Sequence, residues 1–222
     1  MIVKSDSDHF LSFISSQLQG GGQAGCGAAV IAEKLARYLQ ENSSDGKPWK
    51  VFDSNLIHQV LEDHNLPARL ARFLPEDRVS QLDDIVADIF DVRPPVQTMI
   101  QQMSETVLKL AFLGNVILIG RGSNVITAKV PHVLHVRLVA PLEQRIEHAL
   151  RLYPEFNKNE VQARKFCVSQ DRARARYVKK YFNADVNDPL LYHLTINTGQ
   201  VGYDETARII GEAVLRLDAK MT

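Results

Sequence analysis

The stretch QLQGGGQAGCGAAVIAEKLARYLQ (residues 17–40) places Gly25, Cys26, Gly27 and Ala28 in a glycine-rich turn directly before an amphipathic helix. Such a turn holds phosphate when successive backbone N–H groups converge on the anion at a helix N-terminus, where the helix dipole also favours negative charge. Glycine permits the backbone angles and the close approach. A phosphate loop normally adds a lysine for charge and a Ser or Thr hydroxyl for magnesium. Here no Lys, Arg, Ser or Thr stands in those places. Three readings follow: a working cradle whose cation comes from elsewhere, a cradle that has lost its charges, and a flexible turn that binds nothing.

Other residues have the types that phosphate chemistry needs. Arg121 directly follows the apolar run VILIG, at the end of a strand where α/β proteins bind ligands. A guanidinium there grips a phosphate with two parallel hydrogen bonds, or pairs with a surface carboxylate. Asp53 ends VFD beside the same edge and serves an acceptor or a magnesium-bound water, or else caps the following helix. In SQDRARARYVKKYF, Arg172, Arg176 and Lys179 or Lys180 share one helical face, and Arg174 lies one turn from Asp171 and is expected to pair with it. The histidines show no metal-ligand spacing, and no Ser-His-Asp or Cys-His arrangement can be argued.

The elements that must position these residues follow from the hydrophobic pattern. HFLSFIS (9–15), WKVFD (49–53), NVILIGRG (115–122), HVLHVRLVA (132–140) and LLYHLTINT (190–198) read as strands. Ile31, Leu35, Tyr38 and Leu39 give a helix over 28–41. Pro141 opens a helix carrying Leu142, Ile146 and Leu150, residues 158–182 form a basic helix or helix pair, and YDETARIIGEAVLRLDAK is the last helix. Residues 54–113 contain no convincing strand. Alternation of helices with near-continuous apolar strands means a parallel sheet covered on both faces.

Composition sets the outer limits. Apolar residues make up 45% and charged residues 23%, as in a folded protein. The 26 basic residues balance 26 acidic ones, so no global field draws the chain to nucleic acid or membrane, and an anion site must be local. Two cysteines, Cys26 and Cys167, form no disulfide framework. The opening MIVKSDSDHFLSF has charges where a signal peptide needs an apolar run, and no stretch approaches the length of a membrane span. The expected location is the cytoplasm.

The order of strand, glycine turn and helix, then VFDSNLI, VILIGRGSNVI, APLEQRIEHAL, DRARARYVKKYF and DPLLYHLTINT, resembles the cytidylate kinase-like family of P-loop proteins, relatives of the nucleoside monophosphate kinases. The resemblance runs from about residue 25 to 215. It implies one P-loop kinase-like domain over 1–222, with a five-stranded parallel sheet in the order 2-3-1-4-5. An acceptor-binding helical region spans 54–113 and a mobile basic lid 155–185. It further implies that ATP and Mg2+ are used, with the donor phosphates on Gly25, Cys26, Gly27 and Ala28. Asp53, Arg121 and Asp171 bind a nucleoside monophosphate or similar small acceptor, and Arg172, Arg174 and Arg176 close over the transfer.

Several positions depart from that family's pattern. Ala28 stands at the lysine and Val30 at the threonine of a monophosphate kinase loop, and Ala29 where relatives carry an arginine. Val186 and His193 replace a Trp and an Asp near the lid. The reading is therefore a phosphotransferase moving the ATP γ-phosphate, or a degenerate relative that binds nucleotide without turnover.

Overall fold

The computed structural model describes residues 22–43, 46–52, 114–120, 122–130 and 132–218, the backbone of 11–15, and residues 100, 103, 104, 106–108, 110 and 111. Asp53, Arg121 and most of 54–113 lie outside the described residues, and so do residues 16–21 at the start of the glycine turn.

Strands β1 (Leu11–Ser15), β2 (Lys50–Phe52), β3 (Val116–Ile119), β4 (Val133–Val139) and β5 (Leu194–Asn197) form one sheet in the order β2-β3-β1-β4-β5. Every pairing is parallel, with Phe13 of β1 level with Leu118 of β3 and His135 of β4. β3 shows why its sequence is an unbroken apolar run. Ile117 and Ile119 enter the core under the first and last helices, whereas Val116 and Leu118 pack with Val107, Ala111, Val130 and Val133. Side chains alternate across the pleat, so a strand buried on both faces has no polar position to offer.

Helix α1 (Ala28–Asn42) buries Ile31, Ala32, Leu35 and Leu39 at helical spacing against the sheet. The C-terminal helix packs alongside it and buries Ala207, Ile210 and Val214. The two approach closely because Gly211 has no Cβ where the Tyr38 ring lies.

A short α2 (Ser123–Ile126) follows β3. Beyond β4, α3 (Leu142–Leu152) and α4 (Glu160–Phe182) pack together through Ile146, Ala149, Ala163 and Cys167, and the chain ends in α5 (Tyr203–Asp218). α4 is a single helix of 23 residues. Asn159 starts it by accepting the Gln162 N–H, and Asn183 ends it in the left-handed conformation at φ 52. No helix among the described residues is long and apolar enough to cross a membrane.

Because all strands run the same way, their C-terminal ends meet at one edge. The turns after β1, β3, β4 and β5 gather there, and α4 lies against them: the site of a Cβ on Gly122 is 2.7 Å from the Phe182 ring.

Candidate functional site

The turn over residues 22–28 is tied to its neighbours through its carbonyl groups. The Gln23 N–H donates to Leu138 O at 3.2 Å, and the Gln23 side chain accepts the Ala140 N–H at 2.9 Å, which pins the turn to the end of β4. The Cys26 N–H donates back to Gln23 O at 3.2 Å. Four carbonyls in succession then find donors. Arg145 Nη1 reaches Ala24 O at 3.1 Å, His148 Nδ1 reaches Gly25 O at 2.8 Å, Thr198 Oγ1 reaches Cys26 O at 3.0 Å, and the Ile31 N–H reaches Gly27 O at 3.0 Å.

In a trans peptide the N–H points opposite to the C=O of the same unit. Fixing carbonyls 24, 26 and 27 therefore turns the N–H groups of Gly25, Gly27 and Ala28 the other way. Among the described residues no group accepts a hydrogen bond from these three amides, and α1 has no side-chain cap. Gly25 and Gly27 are at φ 84 and φ 86, the left-handed region that suits glycine. Space enforces the same choice. A Cβ on Gly25 would lie 2.6 Å from Arg145 O, and one on Gly27 would enter the Tyr203 ring. Open amides in left-handed geometry at a helix N-terminus make an anion-binding concavity.

The charge beside the turn is buried and paired. Asp171 Oδ1 accepts the Ala24 N–H at 2.8 Å, its Oδ2 accepts from Arg145 Nη1 at 2.7 Å, and Arg174 Nη1 stands 3.5 Å from Oδ1. Arg145 and Arg174 are only 5% and 4% exposed. Two guanidiniums thus meet the Asp171 carboxylate beside the turn. Arg145 Nε is buried and has no hydrogen-bond partner among the described residues.

Two titratable groups at the turn are held neutral. Burial pushes the Cys26 thiol up to about 12, against the pull of Arg174 and Arg145, so it is not a thiolate nucleophile. Burial likewise lowers the His148 pKa, with the Gly25 carbonyl opposing and Arg151 adding to the effect. A carbonyl only accepts, so the proton of neutral His148 sits on Nδ1. Its ring leans on Tyr203 with centroids 5.5 Å apart, and together they wall the turn.

The residues proposed from sequence separate into three sets. Gly25, Cys26, Gly27, Ala28, Asp171 and Arg174 come together at the turn. Arg172 and Arg176 are exposed and make no ion pair among the described residues, whereas Arg174 is buried against Asp171 and does not share their face. Asp53 and Arg121 lie outside the described residues, although the turn bearing Arg121 is flanked by Gly120 and Gly122, both at positive φ. The sequence reading did not single out Arg145 and Thr198 and set His148 aside. The available signal was an arginine and a histidine next to Ile146 and Ala149 on the apolar stripe of α3.

Unpaired amides at a helix N-terminus are groups of the kind that hold the phosphates of a nucleotide. Among the described residues of the turn a magnesium ion finds no side-chain ligand: Ala28, Ala29 and Val30 carry no side-chain oxygen, and the Thr198 hydroxyl is spent on Cys26 and Val139. The described residues contain no cluster of three or more His, Cys, Asp or Glu side chains able to hold a metal.

The model of the cytidylate kinase-like family matches residues 21–200. Cytidylate kinase of Methanoregula boonei is 24% identical over 183 residues, which is 82% of this chain and 87% of that protein. A uronate isomerase of Corynebacterium glutamicum is 27% identical over 118 residues, 53% of this chain, and the match spans only 22% of that enzyme's length. The crystal structure of an uncharacterized protein from Eubacterium ventriosum superposes with a TM-score of 0.67 at 16% identity, covering 94% of this chain and 99% of that one. That likeness shows a shared fold.

Proposed function

Because this chain belongs to the cytidylate kinase-like family, we propose that it is a phosphotransferase moving the γ-phosphate of ATP to a nucleoside monophosphate or a similar small acceptor. The observation that carries the proposal is the turn itself, with its carbonyls tied down and the Gly25, Gly27 and Ala28 amides open at the C-terminal edge of a parallel sheet.

In this reading the three amides hold the donor's phosphates, and the paired guanidiniums of Arg145 and Arg174 lie beside the turn. Arg121 grips the acceptor phosphate and Asp53 its sugar or base. Arg172 and Arg176, exposed on α4, face the transferred group and neutralise its charge. ATP supplies the phosphoryl group, and the chain supplies positioning and fixed charge. No step is assigned to magnesium, for which the described residues of the turn offer no free side-chain oxygen. Asp171, engaged by three donors of the chain itself, serves the turn rather than the substrate. Two buried free cysteines accord with a reducing, cytoplasmic setting.

A second reading has a specific observation in its favour. Ala28 and Val30 at the lysine and threonine places favour a protein that binds nucleotide and does not turn it over. A panel of nucleoside monophosphates incubated with ATP, with and without magnesium, separates the two. Product with cytidine or deoxycytidine monophosphate supports the phosphotransferase. ATP binding without product from any acceptor supports the second reading.

A further inference from the structure

Residue 24 is gripped on both of its polar groups. Its carbonyl takes a hydrogen bond from Arg145 of α3, its N–H gives one to Asp171 of α4, and Arg145 and Asp171 are themselves joined at 2.7 Å. The ring closes through buried or half-buried atoms: the Arg145 side chain is 6% exposed and that of Asp171 27%. His148 and Thr198 continue the pattern on the next two carbonyls. Four consecutive peptide planes are thus set by side chains from α3, α4 and the end of β5, with no ligand needed to orient them.

We propose that Arg145 and Asp171, with Thr198 as a third anchor, are positioning residues that hold the turn's amides in the anion-binding orientation. The inference rests on the reading of the turn as a phosphate site. It gives Asp171 a role opposite to the one its charge suggests. A carboxylate beside a phosphate site repels the anion, so on electrostatics alone its removal strengthens binding. As an anchor, its loss unseats Arg145 and with it the 24–25 peptide that carries the Gly25 N–H, and binding weakens.

The test is titration calorimetry of the full chain with ATP, at fixed ionic strength and without magnesium, alongside thermal melting of each variant. Asp171→Asn keeps an acceptor for the Ala24 N–H and loses the bond to Arg145. The expected result is ATP affinity lower by about tenfold, the scale of one charge-assisted hydrogen bond. Thr198→Val removes the Cys26 anchor and is expected to weaken ATP in the same direction, whereas Thr198→Ser keeps the hydroxyl and restores wild-type affinity. A purely structural threonine would lower the melting temperature of both without that split.

Unchanged or tighter ATP binding by Asp171→Asn overturns the anchoring role while leaving the phosphate site intact. If Asp171→Asn does not fold, the Thr198 pair decides, and equal affinity of Thr198→Val and wild type overturns the proposal. Wild-type protein that binds no ATP overturns the phosphate reading and the anchoring with it.

Discussion

Asp171 Oδ1 lies 2.8 Å from the backbone nitrogen of Ala24, across 147 residues of sequence. This one contact fastens the basic helix α4 to the glycine turn, and Arg145 joins the pair from α3. α4 is thereby seated on the turn at its middle, with Ala173, Arg174, Tyr177 and Val178 buried beneath it. The exposed Arg172 sits next in sequence to the fastening point, so its distance from the turn is set by Asp171.

The buried triad predicts strong coupling. Arg145→Met leaves Asp171 with a weaker set of donors inside the protein, and removal of one partner of a buried pair costs about 3–5 kcal/mol. Asp171→Asn alone leaves two buried guanidiniums less well compensated. The double variant should be less destabilised than the sum of the two, by about 1–3 kcal/mol in a urea-unfolding cycle. Additivity would mean that the 2.7 Å contact contributes nothing to stability.

The arginines of α4 should divide by burial. Arg174→Ala is expected to lower stability, since it empties a site that is 4% exposed and removes a cation facing Asp171. Arg172→Ala and Arg176→Ala, both on the exposed side, should change stability by no more than about 0.5 kcal/mol. Under the proposed function they lower turnover instead. Equal stability losses for all three would place them in one structural class.

Substitution at Gly27 should be costly for two independent reasons. Gly27→Ala puts a side chain at φ 86, worth about 1–2 kcal/mol, and drives its Cβ into the Tyr203 ring. Adding Tyr203→Ala should recover only the steric part. Full recovery in urea melts would show that the backbone angle carries no strain.

His135 predicts the acid limb of the stability curve. Burial, with His193 stacked 5.0 Å away, lowers its pKa from 6.5 to about 4, and its Nε2 meets the Thr127 hydroxyl at 2.9 Å. The folded state thus binds fewer protons than the unfolded chain between those two values. Stability is full above pH 6.5 and falls as the pH drops towards 4, by up to about 3 kcal/mol from this residue. His135→Gln should flatten the curve across that window, as seen in denaturant midpoints at successive pH. A parallel curve for the variant would assign the acid sensitivity to other groups.

The strands and helices were legible because burial imposes a period. VILI in β3 is buried throughout, and Ile31, Leu35 and Leu39 fall on one side of α1 by spacing alone. The site was legible at the glycines, whose backbone angles need that residue. It was not legible at the anchors. Arg145 and His148 meet the turn across 121 and 123 residues, and a carbonyl partner leaves no mark on a linear pattern. The division of DRARAR was legible too: two residues along a helix is a rotation of about 200°, which sends Arg174 inward to Asp171, as its spacing predicts, and Arg172 and Arg176 out.

The central claim is that the Gly25, Gly27 and Ala28 amides face an anion. It is tested most directly by amide proton and nitrogen chemical shifts of the labelled full chain as ATP is added. The account predicts that these three resonances move furthest and saturate together, while amides in the core of α5, such as Ile210 and Val214, stay in place. ATP binding that leaves all three unmoved and shifts resonances elsewhere would contradict it.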